Sequence, residues 1–156
     1  MSKWISLSVP AAVVIAGSPS AYAVQYLTIA QARQQAFPSA SFAEIQAGRI
    51  WRAESGGHVA GFFIFDRVIG KHLYIDYTVA FDTTGRVTKV DILQYRESYG
   101  GEVRQAGWLA QFVGKTSGSA LRVGSDIRNI SGATLSSLHL TEGIKRLVGT
   151  YGAKGR

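Results

Sequence analysis

Three consecutive segments rich in β-branched and aromatic residues constrain the fold of this chain more than any other feature. They span residues 59–68, 72–81 and 87–95, and turn-forming sequences separate them at residues 70–71 and 82–85. Such segments joined by hairpin-type turns predict consecutive antiparallel strands. Alternation is clearest in the middle segment, where one face carries Leu73, Ile75, Tyr77 and Val79. The sequence therefore predicts a small antiparallel β-meander with one face covered by helices.

Two cap signals precede the predicted meander. Thr28 is followed three residues later by Gln31, which predicts a capping box, and Pro38 ends the helix that it opens. Ser41 and Glu44 repeat the same spacing, which predicts a second short helix. Residues 24–58 are therefore predicted to form an N-terminal helical segment.

Two further helical patterns follow the meander. Residues 102–113 place one set of apolar side chains at helical spacing, and residues 133–151 place another. A loop containing Gly and Ser separates them at residues 114–125. The predicted class is α+β, with a single domain over residues 59–156 in which the β-meander packs with helices. The apolar set in residues 102–113 is Val103, Ala106, Leu109, Ala110 and Val113. The apolar set in residues 133–151 is Leu140, Ile144, Leu147, Val148 and Tyr151.

Residues 1–23 have the pattern of a secretory signal peptide. Lys3 supplies a positive start, an apolar run follows, and Ala21 and Ala23 fit the small-residue pattern of a cleavage site. The apolar run is too short to span a bilayer comfortably. We expect cleavage after Ala23 and a mature protein that begins at Val24 in the periplasm or elsewhere outside the cytoplasm. The alternative is an uncleaved N-terminal anchor that keeps the protein at the membrane.

The composition excludes several kinds of site. The chain contains no cysteine, which excludes disulfides, iron–sulfur clusters, thiolate zinc sites and cysteine nucleophiles. His58, His72 and His139 lack the spacing of metal ligands, so we expect no metal site. Gly114 and Lys115 lack the preceding glycine of a phosphate-binding P-loop. No set of catalytic residues is evident, and we expect no nucleic-acid partner.

Small and hydroxyl-bearing residues mark the start of the last predicted helix. Residues 129–137 include Ser131, Gly132, Ala133, Thr134 and Ser136. Unpaired backbone N–H groups and the helix dipole make such a start a potential anion site, with Thr134 beside a bound phosphate. The alternative is a simple Ser/Thr helix cap.

This segment resembles the attachment motif of the FMN-binding domain family of electron-transfer flavoproteins. The family includes flavin subunits of sodium-translocating quinone reductase and of Rnf-type complexes. The resemblance rests on Ser131-Gly132-Ala133-Thr134 with the following Leu135-Ser136-Ser137, and continues upstream through residues 68–71, 79–82, 85–87 and 96–103. It implies FMN attached to Thr134 through a phosphoester, formed from FAD by a separate flavin transferase. Arg128 stands where the family often has an acidic residue.

The same resemblance implies which residues contact the flavin. The motif side contributes Ser131, Gly132, Ala133, Leu135 and Ser136 around Thr134, and the loop after the last strand contributes Glu97, Ser98, Tyr99 and Gly100. In this reading Tyr99 stacks on the flavin and the glycines let backbone amides approach it. Trp51 and Trp108 are expected to be core residues.

Charge is concentrated in the last third of the chain. From residue 115 onward there are seven basic and two acidic residues, against nine and eight in residues 24–114. This excess favours a bound phosphate, or indicates a solvated basic face or attraction to anionic lipids.

We expect an exported electron carrier with covalent FMN, acting as a redox relay and not converting a substrate, with membrane-bound or soluble redox partners. The alternatives are a cofactor-free basic envelope-binding module and a flavin-dependent reductase with its own substrate.

Overall fold

The computed structural model describes residues 24–152, so the predicted signal peptide, Lys154 and Arg156 lie outside the described residues. Within this range the strands are β1 (Val24–Gln25), β2 (Ser41–Gln46), β3 (Ile50–Ser55), β4 (His58–Ile69), β5 (Tyr74–Asp82) and β6 (Val87–Tyr95). They form one antiparallel sheet in the order β1-β6-β5-β4-β3-β2. The combination of this sheet with helices confirms the predicted α+β class. The helices are α1 (Ile29–Ala36), α2 (Ala106–Leu109) and α3 (Thr134–Tyr151), with 3₁₀ turns at Gly101–Arg104 and Ala110–Phe112.

The first helix begins as its cap signal predicts. The Gln31 backbone N–H donates to the Thr28 hydroxyl at 3.2 Å, and the Thr28 backbone N–H donates to the Gln31 side chain at 2.9 Å. This reciprocal pair satisfies two N–H groups that the helix cannot pair internally. The predicted capping box is therefore confirmed.

The second predicted helix, at Ser41, is wrong. Residues 41–46 form the edge strand β2, which pairs with β3 from Ser41 opposite Glu54 onward. The Glu44 carboxylate accepts from the Gly48 backbone N–H in the following turn and does not cap a helix. Strand pairing outweighs the local cap signal here. Of the predicted helical segment 24–58, only α1 is helical, and the sheet extends well before residue 59.

Helices and loops cover both faces of the sheet, where the sequence predicted only one covered face. Side chains of α3 pack on one face with Ile75, Tyr77 and Val79, and Ala32 of α1 packs on the other with Phe63 and Ala80. Consequently residues 75–81 of β5 are all buried, although their sequence alternates only partly. Trp51 and Trp108 are buried, as predicted.

The helix predicted for residues 102–113 is divided into three short helical pieces. Gln105 is extended (φ −62°, ψ 130°) and separates the first 3₁₀ turn from α2. The break changes which side chains face inward, so that Trp108 and Phe112 are buried while Ala106 and Val113 are exposed. The predicted apolar face is therefore wrong at Ala106, Ala110 and Val113, and right at Val103 and Leu109.

Helix α3 begins one residue after its predicted start and ends where predicted. Leu140, Ile144, Leu147 and Val148 are buried against the sheet, as the sequence spacing predicts. Gly143 permits this close packing, because an added Cβ would lie 2.6 Å from the Tyr77 hydroxyl. None of the helices in residues 24–152 is long and apolar enough to cross a membrane.

Candidate functional site

A groove of about 490 Å³ lies at the end of the sheet where α3 begins. Three segments form it: the turn between β4 and β5, the loop after β6, and the first turn of α3. We call it the α3 groove. It is lined by Lys71, His72, Glu97, Ser98, Tyr99, Gly132, Ala133, Thr134, Leu135 and Ser136.

The groove brings together the two segments that the resemblance singled out. Eight of the ten predicted site residues line it. Ser131, the first residue of the motif, is exposed outside the lining, and Gly100, the last residue of the predicted loop, is buried. The sequence missed Lys71 and His72, which lie in the β4–β5 turn far from both motifs along the chain.

The Glu97 carboxylate holds the β4–β5 turn in place. One of its oxygens accepts hydrogen bonds from the backbone N–H groups of Lys71 and Leu73, both at 2.7 Å, and of His72. Burial raises the pKa of Glu97, but the three N–H donors outweigh burial and hold this pKa below its usual value. Gly70 makes room for the carboxylate, because an added Cβ would lie 3.1 Å from its Cγ and Oε1 atoms. The resemblance implied that Glu97 contacts the flavin. In the structure, one of its carboxylate oxygens binds the backbone of the turn that forms one wall of the groove.

Tyr95, at the end of β6, joins the loop after β6 to α3. Its hydroxyl donates to the Tyr99 carbonyl and lies 3.1 Å from the Ser136 hydroxyl. Burial raises the pKa of Tyr95, so the hydroxyl keeps its proton at neutral pH. Sequence reasoning did not identify Tyr95, although an aromatic residue at the end of a strand next to a site loop is a usable signal.

Gly100 makes the close approach of loop and helix possible. Its φ of +86° lies in the left-handed region, and an added Cβ would lie 2.6 Å from the Tyr95 hydroxyl and 2.9 Å from the Ala133 Cβ. Another residue at this position would move the loop away from the first turn of α3.

The start of α3 presents Thr134 at the surface. Ala133 occupies the N-cap position, so no side chain of the cap accepts a hydrogen bond from the first turn. The simple Ser/Thr cap considered from the sequence is therefore absent. Thr134 is exposed, and its hydroxyl accepts a hydrogen bond from the Asn129 side-chain amide at 3.3 Å. Gly132 precedes it with a φ of +81°.

His139, one turn further along α3, fixes the helix against the β4–β5 turn. Its Nδ1 lies 2.8 Å from the carbonyl oxygens of both Ile69 and Gly70. Carbonyl oxygens only accept, so this nitrogen carries a proton. The three segments of the groove are thus connected by side chains of Glu97, Tyr95 and His139.

Two of the five basic side chains described from residue 115 onward form ion pairs. Lys115 lies 3.0 Å from Asp126, whose carboxylate also accepts from two backbone N–H groups that hold its pKa well below the usual range. Arg146 forms an ion pair with Asp66, twelve residues along α3 from Thr134. Twelve helical residues span about 18 Å, so this charge is remote from the groove. The expectation that the excess of basic residues favours a phosphate bound at the motif is therefore not supported for Lys115 and Arg146.

The fold is a small α+β domain with a groove at the N-terminus of its longest helix. In the described part of the chain, no group of three or more His, Cys, Asp or Glu residues could hold a metal ion. Residues 70–149, just over half of the chain, match the family model of the FMN-binding domain. The chain belongs to this family and is a flavin-binding protein for FMN, in agreement with the resemblance. No curated protein matches it.

Proposed function

We propose that this protein is an exported electron carrier with FMN joined to Thr134 through a phosphoester bond. The observation that carries the proposal is the position of Thr134. Its hydroxyl is exposed at the first residue of α3, in the lining of a groove whose volume suits a small cofactor. A modifying enzyme needs this access to the hydroxyl oxygen.

The residues around Thr134 suit a phosphate group. The first N–H groups of α3 have no side-chain acceptor at the cap, and the helix dipole favours negative charge there. Lys71 and His72 line the same groove and add positive or hydrogen-bonding groups. Gly132 lets the backbone approach without a side chain.

The remaining lining residues suit the flavin ring. Tyr99 is 84% exposed, which leaves its ring available for stacking, and Leu135 provides apolar surface beside it. Bound FMN supplies one- and two-electron chemistry. The protein holds the cofactor, and Glu97 and Tyr95 keep the walls of the groove in register.

The family resemblance implies how the bond forms. The Thr134 hydroxyl oxygen attacks the FMN-side phosphorus of FAD on a flavin transferase. The new P–O bond replaces the pyrophosphate bond, AMP leaves, and the hydroxyl proton is lost. Ser136 is buried and hydrogen bonded to Tyr95, which makes it a poor substitute acceptor.

A relay role fits the groove better than conversion of an organic substrate. Among the described residues that line the groove, Glu97 is the sole carboxylate, and one of its oxygens is engaged by three backbone N–H groups. The other candidate for general acid–base work in this lining is His72, and no free carboxylate lines the groove beside it to form an acid–base pair. Electron donors and acceptors would therefore be other redox proteins or membrane-bound carriers.

The test is intact mass spectrometry after co-expression with an active flavin transferase. Wild type should gain the mass of one FMN less one water and stay yellow after denaturation. Thr134→Ala should lose both signals, whereas Thr134→Ser keeps an acceptor hydroxyl and should retain some modification. Ser131→Ala is the matched control, because this exposed hydroxyl lies three residues earlier in the same motif, and it should remain modified.

Three outcomes would overturn parts of the proposal. Covalent flavin on Thr134→Ala would place the bond on another hydroxyl. A colourless wild type with salt-sensitive binding to acidic polymers would favour the cofactor-free binding module. Steady-state turnover of a substrate by the purified flavoprotein would favour a reductase over a relay.

A further inference from the structure

Exposed hydrophobic side chains are concentrated at the end of the molecule that carries the α3 groove. Of the nine large hydrophobic side chains exposed in the described residues, three lie on the three segments that form the groove and three more lie within a residue of them. Tyr99 and Leu135 line the groove itself. The other four do not line it and are Ile69, Leu73, Tyr74 and Leu138. We call these four residues the apolar collar.

The fold holds the apolar collar together. Ile69 and Tyr74 are direct partners in the β4–β5 pairing, so their side chains share one face of the hairpin end. Leu73 precedes Tyr74, and its backbone N–H is held by Glu97. Leu138 stands next to His139, whose ring contacts the Ile69 carbonyl. The collar therefore surrounds the tip of the β4–β5 hairpin where α3 meets it.

The charges at this tip suit a negatively charged partner. Lys71 lies in the exposed turn between Ile69 and Leu73. The carboxylate of Asp76 is paired with Arg67 at 3.2 Å and Arg96 at 2.8 Å. The Glu97 carboxylate is engaged by the backbone of the turn, as described above. The three basic side chains of Lys71, Arg67 and Arg96 and the two acidic ones of Asp76 and Glu97 leave a net charge of +1 beside the collar, in a chain with a formal net charge of +7.

We propose that the apolar collar docks this protein on the surface of an anionic lipid bilayer. The collar consists of separate apolar side chains, three at the hairpin tip and one on α3, which can insert among lipids without a shaped counterpart. Tyr74 has the amphipathic ring that favours the membrane interface, and Lys71 would contact anionic headgroups. A protein partner would instead need a complementary surface around a central packed contact. This docking would hold the opening of the groove close to the membrane.

The proposal does not depend on attached flavin, so its failure is distinguishable from failure of the proposed function. The test uses protein that begins at Val24, since an apolar N-terminal run would bind lipid by itself. Residues 24–152 contain the complete sheet and both core clusters. This protein, with and without flavin, is sedimented with vesicles of phosphatidylglycerol and phosphatidylcholine, and with vesicles of phosphatidylcholine alone.

The key variant is Ile69→Ser combined with Leu73→Ser, both 47% exposed in the wild type. It should bind the anionic vesicles about tenfold more weakly, because two half-exposed aliphatic side chains no longer enter the lipid. The matched control is Ile45→Ser with Val59→Ser, at 55% and 43% exposure elsewhere on the sheet, and it should bind like wild type. Leu138→Ser provides an independent collar variant on α3, and circular dichroism shows that each variant is folded.

Lys71→Gln tests the electrostatic part. It should weaken binding to anionic vesicles at low salt, with a smaller effect at high salt. The proposal is overturned if wild type does not sediment with anionic vesicles, or if the collar and control variants lose binding equally. Capture of a protein partner by the same residues without lipid binding would also overturn it.

Discussion

Replacing Glu97 by glutamine tests whether this residue supports the α3 groove in the way the structure indicates. Glutamine has nearly the same shape and keeps a carbonyl oxygen that the N–H groups of Lys71, His72 and Leu73 can reach. The substitution therefore removes the negative charge and leaves the packing unchanged. Any change in the free energy of unfolding therefore measures how much the negative charge strengthens these three hydrogen bonds.

The expected cost follows from the number of donors. A hydrogen bond to a charged group contributes about 1.5–3 kcal/mol, and one between neutral groups about 0.5–1.5 kcal/mol. Three N–H groups share one oxygen and the site is partly open to water, so the differences do not add in full. We expect Glu97→Gln to lower the free energy of unfolding by about 2 kcal/mol, or roughly 30-fold in the folded-to-unfolded ratio.

The pH dependence gives the reasoning a second, sharper test. The pKa of Glu97 is lower in the folded protein than in the unfolded chain, where it is about 4.3. Its stabilisation is therefore complete above that value and is lost as pH falls through the folded pKa. Urea unfolding should show a constant difference between wild type and variant at neutral pH. That difference should shrink in acid, where wild-type Glu97 is also uncharged.

Glu142→Gln is the control, because Glu142 is an exposed carboxylate on α3 and its loss should change stability by less than about 0.5 kcal/mol. The turn that Glu97 supports carries Lys71 and His72, so Glu97→Gln should also weaken FMN binding severalfold. Equal stability of wild type and Glu97→Gln at pH 7 would refute the reasoning. A difference that persists unchanged into strong acid would refute it as well.

Three further predictions concern the same end of the molecule and the start of the mature chain. Gly100→Ala should lower the free energy of unfolding by about 1–3 kcal/mol, because φ is +86° and the methyl group would meet the Tyr95 hydroxyl; an unchanged thermal midpoint would contradict this. Tyr95→Phe should cost about 1–2 kcal/mol and couple with Ser136→Ala in a double-mutant cycle, whereas strictly additive effects would show that the two hydroxyls act separately. N-terminal sequencing of the envelope fraction should find Val24 first, and finding Met1 there would disprove cleavage.

Sequence patterns predicted those elements of the fold whose structure is determined mainly by their own residues. Strand β6 has the predicted bounds, and the apolar spacing of α3 identified the side chains that pack on the sheet. Helix α3 is strongly periodic, and β6 is rich in β-branched residues and follows a clear turn signal. By contrast, Ser41 and Glu44 have the spacing of a helix cap but lie in an edge strand. The local spacing could not predict this, because β2 is held by its pairing with β3, further along the chain.

The same distinction applies to the α3 groove. The motif at residues 131–136 and the loop at residues 97–100 were recognisable because each is a continuous segment. Lys71 and His72 were missed, because their turn is held at the groove by contacts with Glu97 and His139, which are distant along the chain. Tyr95 was missed because its role depends on a contact with Ser136, 41 residues later.

The exposure of the Thr134 hydroxyl has a consequence for the order of maturation. The two core clusters form from side chains of the sheet and helices, and Thr134 belongs to neither. The polypeptide can therefore complete its fold before any cofactor is attached, and the acceptor oxygen stays accessible afterwards. A transferase would meet a finished protein and not a nascent chain. Under the proposed function, flavin supply would then limit how quickly a pool of folded protein becomes active.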